Sequence, residues 1–160
     1  MCDSTQATAT NRLKIYVNGV QETSFNYENP GVLNQDLSLI KSGKNVYVGQ
    51  HGTVGMYFNG EMAHVHLIDG IVYDASAFGQ TDATTGIWKP KTVPSVTYGT
   101  NGFFLKFANS GSMGTDSSGN GNNLTVSGNL TQTGDTPSNV FCTMNPNNAT
   151  LGGVTLSNGN

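Results

Sequence analysis

Basic residues are scarce in this chain. Seven Lys and Arg in 160 residues, against ten Asp and Glu, leave a net charge of −3. Nucleic-acid binding needs clustered cations to neutralise phosphates, and the seven form no patch, so that class of partner is excluded. Charge of either sign is low, at 11% of residues, yet 36% are hydrophobic and the aromatics comprise seven Phe, six Tyr and one Trp. Intrinsically disordered chains combine high net charge with few aromatics, so an ordered chain is expected. No apolar run reaches the roughly 18 residues that a membrane-spanning helix requires. The start, Met1-Cys2-Asp3-Ser4-Thr5-Gln6, lacks the basic and apolar regions of a secretory leader, and a soluble chain made without a signal peptide is expected. The two cysteines, Cys2 and Cys142, are far apart and outside metal-knuckle or redox spacing, and they read as free thiols.

What fills the chain instead is Gly (21), Thr (19), Asn (19) and Ser (13), nearly half of it. Short Val, Ile, Tyr and Phe runs separated by such clusters signal an all-β protein rather than a helix bundle. Leu13, Ile15 and Val17 alternate as the core face of a strand over residues 12–17. The Asn18-Gly19 pair then joins it to a second strand over 20–25, since both residues accept positive φ. Residues 26–44 read as a loop, with Val32-Leu33 and Leu37 to Ile40 tucked into the core. Residues 45–50 read as a short strand and 60–68 as a longer one, which Asp69-Gly70 turns into Ile71-Val72-Tyr73 as a second hairpin. Asp74 caps a helical turn ending near Gly79. Residues 80–95, with Pro90 and Pro94, read as extended loop, while 102–107 and 123–127 read as strands. No alternation persists beyond Gly128. One domain over residues 1–127 and an irregular tail or linker over 128–160 are therefore expected.

Three strings together carry a family resemblance. They are Arg12-Leu13-Lys14-Ile15-Tyr16-Val17-Asn18-Gly19-Val20, Tyr57-Phe58-Asn59-Gly60-Glu61-Met62-Ala63-His64-Val65 and Asp116-Ser117-Ser118-Gly119-Asn120-Gly121-Asn122-Asn123-Leu124. They resemble the laminin-G-like branch of the concanavalin A-like lectin/glucanase fold, a jelly-roll sandwich of two antiparallel sheets. With Ile68-Asp69-Gly70, Trp88-Lys89-Pro90-Lys91 and Tyr98-Gly99-Thr100-Asn101-Gly102-Phe103, the version is similar to modules of marine bacteriophage tail fibres and capsid-associated fibres. The resemblance covers residues 3–127. Residues 3–79 resemble the last third of the domain and 102–127 its first strand and loop, placed afterwards, so the family's central strands are absent. It therefore implies a sandwich that is incomplete or completed by a partner, with open edges and an apolar face that favour association. The implied location is the virion, and the implied partners are other virion chains or copies of this one.

Candidate chemistry is sparse. Glycosidases on this fold use paired carboxylates, but Glu22, Glu28 and Glu61 are the only glutamates and none is spaced two along a strand from another carboxylate. No Gly-x-Ser-x-Gly elbow occurs, so a non-enzymatic module is expected. The alternative is an adhesin that recognises host-surface glycans through Trp88, Tyr57, His64 and His66. Trp88 could stack on a pyranose, but a lone Trp beside a proline more often pins its loop to the core. His64 and His66 fall on one face of their strand. That spacing is metal-compatible with His51 or Asp69, but the histidines are expected to decorate the outer or concave sheet face. Asp116 and Asn120 are the candidate oxygen ligands for a calcium ion, against which stands a turn held by Asx-type hydrogen bonds. No other cofactor is expected.

Overall fold

A computed structural model describes residues 1–26, 29–35, 43–52 and 55–133. Regular structure there consists of eight short strands and two 3-10 turns, η1 (Ala9–Asn11) and η2 (Ala75–Ala77). The strands are β1 (Ile15–Val17), β2 (Val20–Glu22), β3 (Gln50–His51), β4 (Met56–Tyr57), β5 (Val65–Leu67), β6 (Gly79–Thr81), β7 (Trp88–Pro90) and β8 (Phe103–Leu105). They pair, always antiparallel, as four two-stranded sheets: β1 with β2, β3 with β4, β5 with β8, and β6 with β7. The described chain is β-rich, and no helix in it is long and apolar enough to cross a membrane.

The Asn18-Gly19 hairpin forms as its sequence dictates. Both turn residues adopt positive φ, 49° and 82°, and the register sets Val17 opposite Val20 and Ile15 opposite Glu22. That register places Ile15, Val17 and Val20 on one face, since paired residues share a side. The expected burial of this face is not found. Leu13 is also exposed, and Ile15, Val17 and Val20 stand 45%, 56% and 72% exposed, because no second layer of described residues covers a two-stranded ribbon. Val32 and Leu33, expected in the core, are exposed as well; Leu37 to Ile40 and Cys142 lie outside the described residues.

The core sits elsewhere, on β8. Phe103, Phe104 and Leu105 are 2–4% exposed, and Tyr98 and Met113 complete the buried apolar set. β8 is flanked on one edge by β5 and on the other by a bridge from Leu105 to Asp116, with Ser117 N–H donating to the Phe104 carbonyl at 2.7 Å. Asp69-Gly70 does not fold β5 back onto residues 71–73. Asp69 N–H instead donates to the Tyr98 carbonyl, and the Asp69 carboxylate accepts from the Asn101 backbone and side-chain amides. These long-range bonds deliver β5 to β8, overriding a local turn signal.

Other boundaries shift for local reasons. β5 is only three residues long because His64 has φ 53°, outside the strand region. The strand expected at 45–50 is displaced to Gln50, after Gly49 at φ 78°. Residues 123–127 form no strand, although Leu124 N–H donates to the Gly114 carbonyl. Residues 80–95 are not simply a loop, since β6 and β7 form a hairpin. Its bend is organised by Asp82, which accepts from the Thr84 and Thr85 amides and pairs with Lys89 at 2.9 Å. The helical turn after Asp74 is present as η2, and the Asp74 carboxylate accepts from Ser76 N–H.

Candidate functional site

Three groupings of side chains form candidate sites, the first two meeting at β8 and the third lying on the β1–β2 and β6–β7 hairpins. The first is a ring cluster on β5 and β8. His66 is in register with Phe104, and their rings stack with centroids 4.0 Å apart. His66 Nδ1 lies 2.9 Å from the Tyr98 hydroxyl, and the Phe78 ring stands 5.2 Å away. His64 meets Phe104 edge to face and directs Nδ1 at the Lys91 carbonyl, 3.3 Å away, so that this nitrogen carries the proton in the neutral ring. Lys106 places its ammonium 5.2 Å from the Phe104 centroid. The two histidines, expected on the outer or concave face of a sheet, are half-buried parts of an aromatic cluster.

Burial dominates the electrostatics of this cluster because a charged ring loses hydration there. It pushes His66 down to about 4, with the neighbouring His64 ring adding to the effect. It also lowers His64, against a raising contribution from the Lys91 carbonyl. Tyr98 is pushed up to about 12, by burial first and the Asp116 charge second. All three groups are neutral near pH 7.

The second grouping is the Asp116–Asn123 loop. Asp116 Oδ1 accepts from the amides of Phe104 and Ser118, and Oδ2 accepts from the Ser118 hydroxyl and the Asn122 amide, all at 2.8–2.9 Å. Burial alone would raise this carboxyl, but those donors outweigh it and hold the group below the usual carboxylate range. Asn120 Nδ2 donates to the carbonyls of Gly99 and Gly102, and Asn122 Nδ2 to those of Thr100 and Gly102. Of the two calcium candidates, Asp116 has its oxygens occupied by four donors and Asn120 has its side-chain nitrogen engaged by two carbonyls. Among the described residues, no group of three His, Cys, Asp or Glu is placed to hold a metal ion. The loop is a clasp that ties the chain before β8 to the chain after it.

The third grouping surrounds Trp88. A Cβ built on Gly19 or on Gly79 would come within 2.4 Å of its ring, so the indole lies directly on both glycine backbones. Trp88 thus pins the β1–β2 turn to the β6–β7 hairpin. Beside it opens a cleft of about 380 Å³, lined by Asn18, Val20, Thr81, Gly86 and Ile87 as well as the indole. Tyr57 lines a different hollow, with His51, Met56, Phe58 and Met62.

The four glycan-binding candidates are therefore distributed over three sites. His64 and His66 join the ring cluster, Trp88 the cleft, and Tyr57 the other hollow. Tyr98, Phe78 and Asn122 were missed as site-forming residues. Tyr98 sits in a stretch without periodicity, and only the Gly99 to Gly102 punctuation after it marks a close backbone approach. No family model matches this chain, and neither a curated protein nor a solved structure matches it significantly.

Proposed function

We propose that this chain is a non-enzymatic structural module of a phage-type virion, a fibre or capsid-surface component that completes its β-structure by association with copies of itself or with neighbouring chains. The observation that carries the reading is the apolar face of the β1–β2 hairpin, where Ile15, Val17 and Val20 stand open to water. A lone two-stranded hairpin is marginal in water, and a contiguous apolar patch on such a hairpin is the mark of an interface. Burial of such a face contributes about 25 cal/mol for each Å² of apolar surface removed from water. The virion setting and the two-sheet jelly roll are supported by the resemblance of the three sequence strings, and association supplies the layer that the sandwich requires.

The paired variant Ile15→Lys/Val20→Lys tests this reading. Both positions are already exposed, so the thermal midpoint of the isolated chain at low concentration should change little, by roughly 0.5 kcal/mol or less in stability. Self-association, or incorporation into particles, should be lost. Unchanged association in the variant would refute the assignment of this face.

The adhesin alternative narrows to the cleft beside Trp88, where an indole edge, Ile87 and the polar groups of Asn18 and Thr81 share one opening. Glycan-array binding that disappears in Trp88→Ala would favour it over the purely structural reading.

A further inference from the structure

We propose that His66 is an acid-sensitive latch on the β5–β8 pair, such that protonating its ring releases the core strand β8 from β5, Tyr98 and Phe78. The proposal concerns the isolated chain and stands independently of the assembly reading.

The ladder itself gives the first argument. Phe104 N–H donates to Asp116 and its carbonyl accepts from Ser117, so the Phe104 backbone is turned away from β5. In an antiparallel pair, hydrogen-bonded and non-hydrogen-bonded positions alternate, and the non-bonded position brings side chains closest. Val65 with Leu105 and Leu67 with Phe103 are then the bonded positions, while His66 with Phe104 is the non-bonded one. The centre of this three-residue pair is held by ring contact rather than by backbone bonds. One of those two rings is an imidazole, which titrates in mildly acidic solution.

The surroundings give the second argument, since among the described residues the charged and titratable groups of the cluster are already engaged or share the charge of a protonated His66. Just before its own strand stands His64, its ring centroid 6.2 Å away. Just after β8, Lys106 already sits against the Phe104 ring. Tyr98 faces His66 with a neutral hydroxyl. Beyond β8, the Asp116 oxygens are filled by four donors. On the Phe78 side, Asp74 is committed to Ser76, and the Lys91 ammonium donates to the Ser76 carbonyl. A protonated His66 would therefore be a partly buried cation with a second histidine beside it. It would keep its bond to Tyr98 by donating from Nδ1, so the driving force for release is lost hydration and like charge rather than a broken hydrogen bond.

The sign follows from linkage. The folded-state value lies below the ordinary imidazole value of 6.5, so the unfolded chain binds more protons between the two. The latch is closed above about pH 6.5 and weakens as pH falls from there towards about 4. The Asp116 contribution is lost only as pH falls from the unfolded carboxyl value of 3.8 through its lowered folded value, below the window in which His66 acts.

The test is an NMR titration of the imidazole signals in the full chain, with tyrosine near-ultraviolet dichroism and thermal midpoints recorded over the same pH range. The expected result is a His66 midpoint well below the ordinary imidazole value, with Tyr98 signals changing at that midpoint and thermal stability falling across the window. His66→Phe keeps a ring on Phe104 and should remove this acid-dependent fall. Should that variant fail to fold, His64→Asn provides the check, because Asn tolerates the positive φ there and removes one like charge. It should raise the His66 midpoint. A His66 midpoint at the ordinary value, Tyr98 signals indifferent to it, or an unchanged stability profile in the variants would overturn the latch.

Discussion

Gly102→Ala is expected to destroy the cooperative folding of the β5–β8 core, at a cost of about 3 kcal/mol or more. A Cβ at this position would stand 1.9 Å from the Tyr98 carbonyl oxygen and 2.7 Å from that of Leu67. Neither oxygen is free to retreat. The Tyr98 carbonyl accepts from Asp69 N–H, and Leu67 is held in register with Phe103. The Gly102 carbonyl in turn receives the side-chain amides of Asn120 and Asn122, so a displaced residue 102 would also open the clasp. The control is Gly111→Ala, whose nearest neighbour is a side-chain oxygen of Asn109 at an ordinary 3.5 Å. That variant should stay within about 0.5 kcal/mol of the parent in a denaturant melt. Equal stability of the two variants would show that the close approach at Gly102 is not a real constraint.

Asp116→Ala carries the second large effect. It removes four accepted hydrogen bonds at once, including the one from the amide of Phe104, a residue only 3% exposed. A buried donor left without a partner costs about 1–3 kcal/mol, and bonds to a charged acceptor are worth more than neutral ones. A total loss of about 3 kcal/mol is expected, with early release of the Phe104 amide in hydrogen exchange. Asp116→Asn keeps one acceptor oxygen and should lose about half as much, since an amide nitrogen cannot serve the donors on the other side. The carboxylate's contribution is present above the unfolded value of 3.8 and is lost as pH falls through the lower folded value. A loss in Asp116→Ala no larger than in Asp116→Asn would contradict the four-donor arrangement.

Much of the β1–β2 hairpin and of β8 was legible in the sequence. Asn18 and Gly19 supply positive φ directly, and Phe103-Phe104-Leu105 is apolar at every position, as a strand covered on both faces must be. The Asp74 cap was legible for the same local reason. What escaped was whatever depends on distant partners. Asp69-Gly70 carries a hairpin signal as strong as that of Asn18-Gly19, but the bonds of Asp69 to Tyr98 and Asn101 send the chain elsewhere. The β6–β7 hairpin was hidden by Gly79 and Pro90, which read as breakers although they face each other in register at the end of the pair. His66 was expected on an outer or concave sheet face, and its packing against Phe104, Tyr98 and Phe78 depends on distant partners that no local pattern records. Leu13, Ile15 and Val17 alternate as a buried face should, yet they are exposed. A periodic pattern records which face is apolar and does not say whether the same chain covers it.

That last mismatch is the basis for reading this chain as a module completed by association. Its described core is five apolar side chains, while the strongest hairpin turns its apolar face outward. The most direct measurement is the molar mass of the chain by light scattering across a wide concentration range, paired with its thermal midpoint at each concentration. A mass that is a multiple of 16.8 kDa, with a midpoint that rises with concentration, is the predicted result. A monomer at every concentration, unfolding cooperatively at a fixed midpoint, would contradict it.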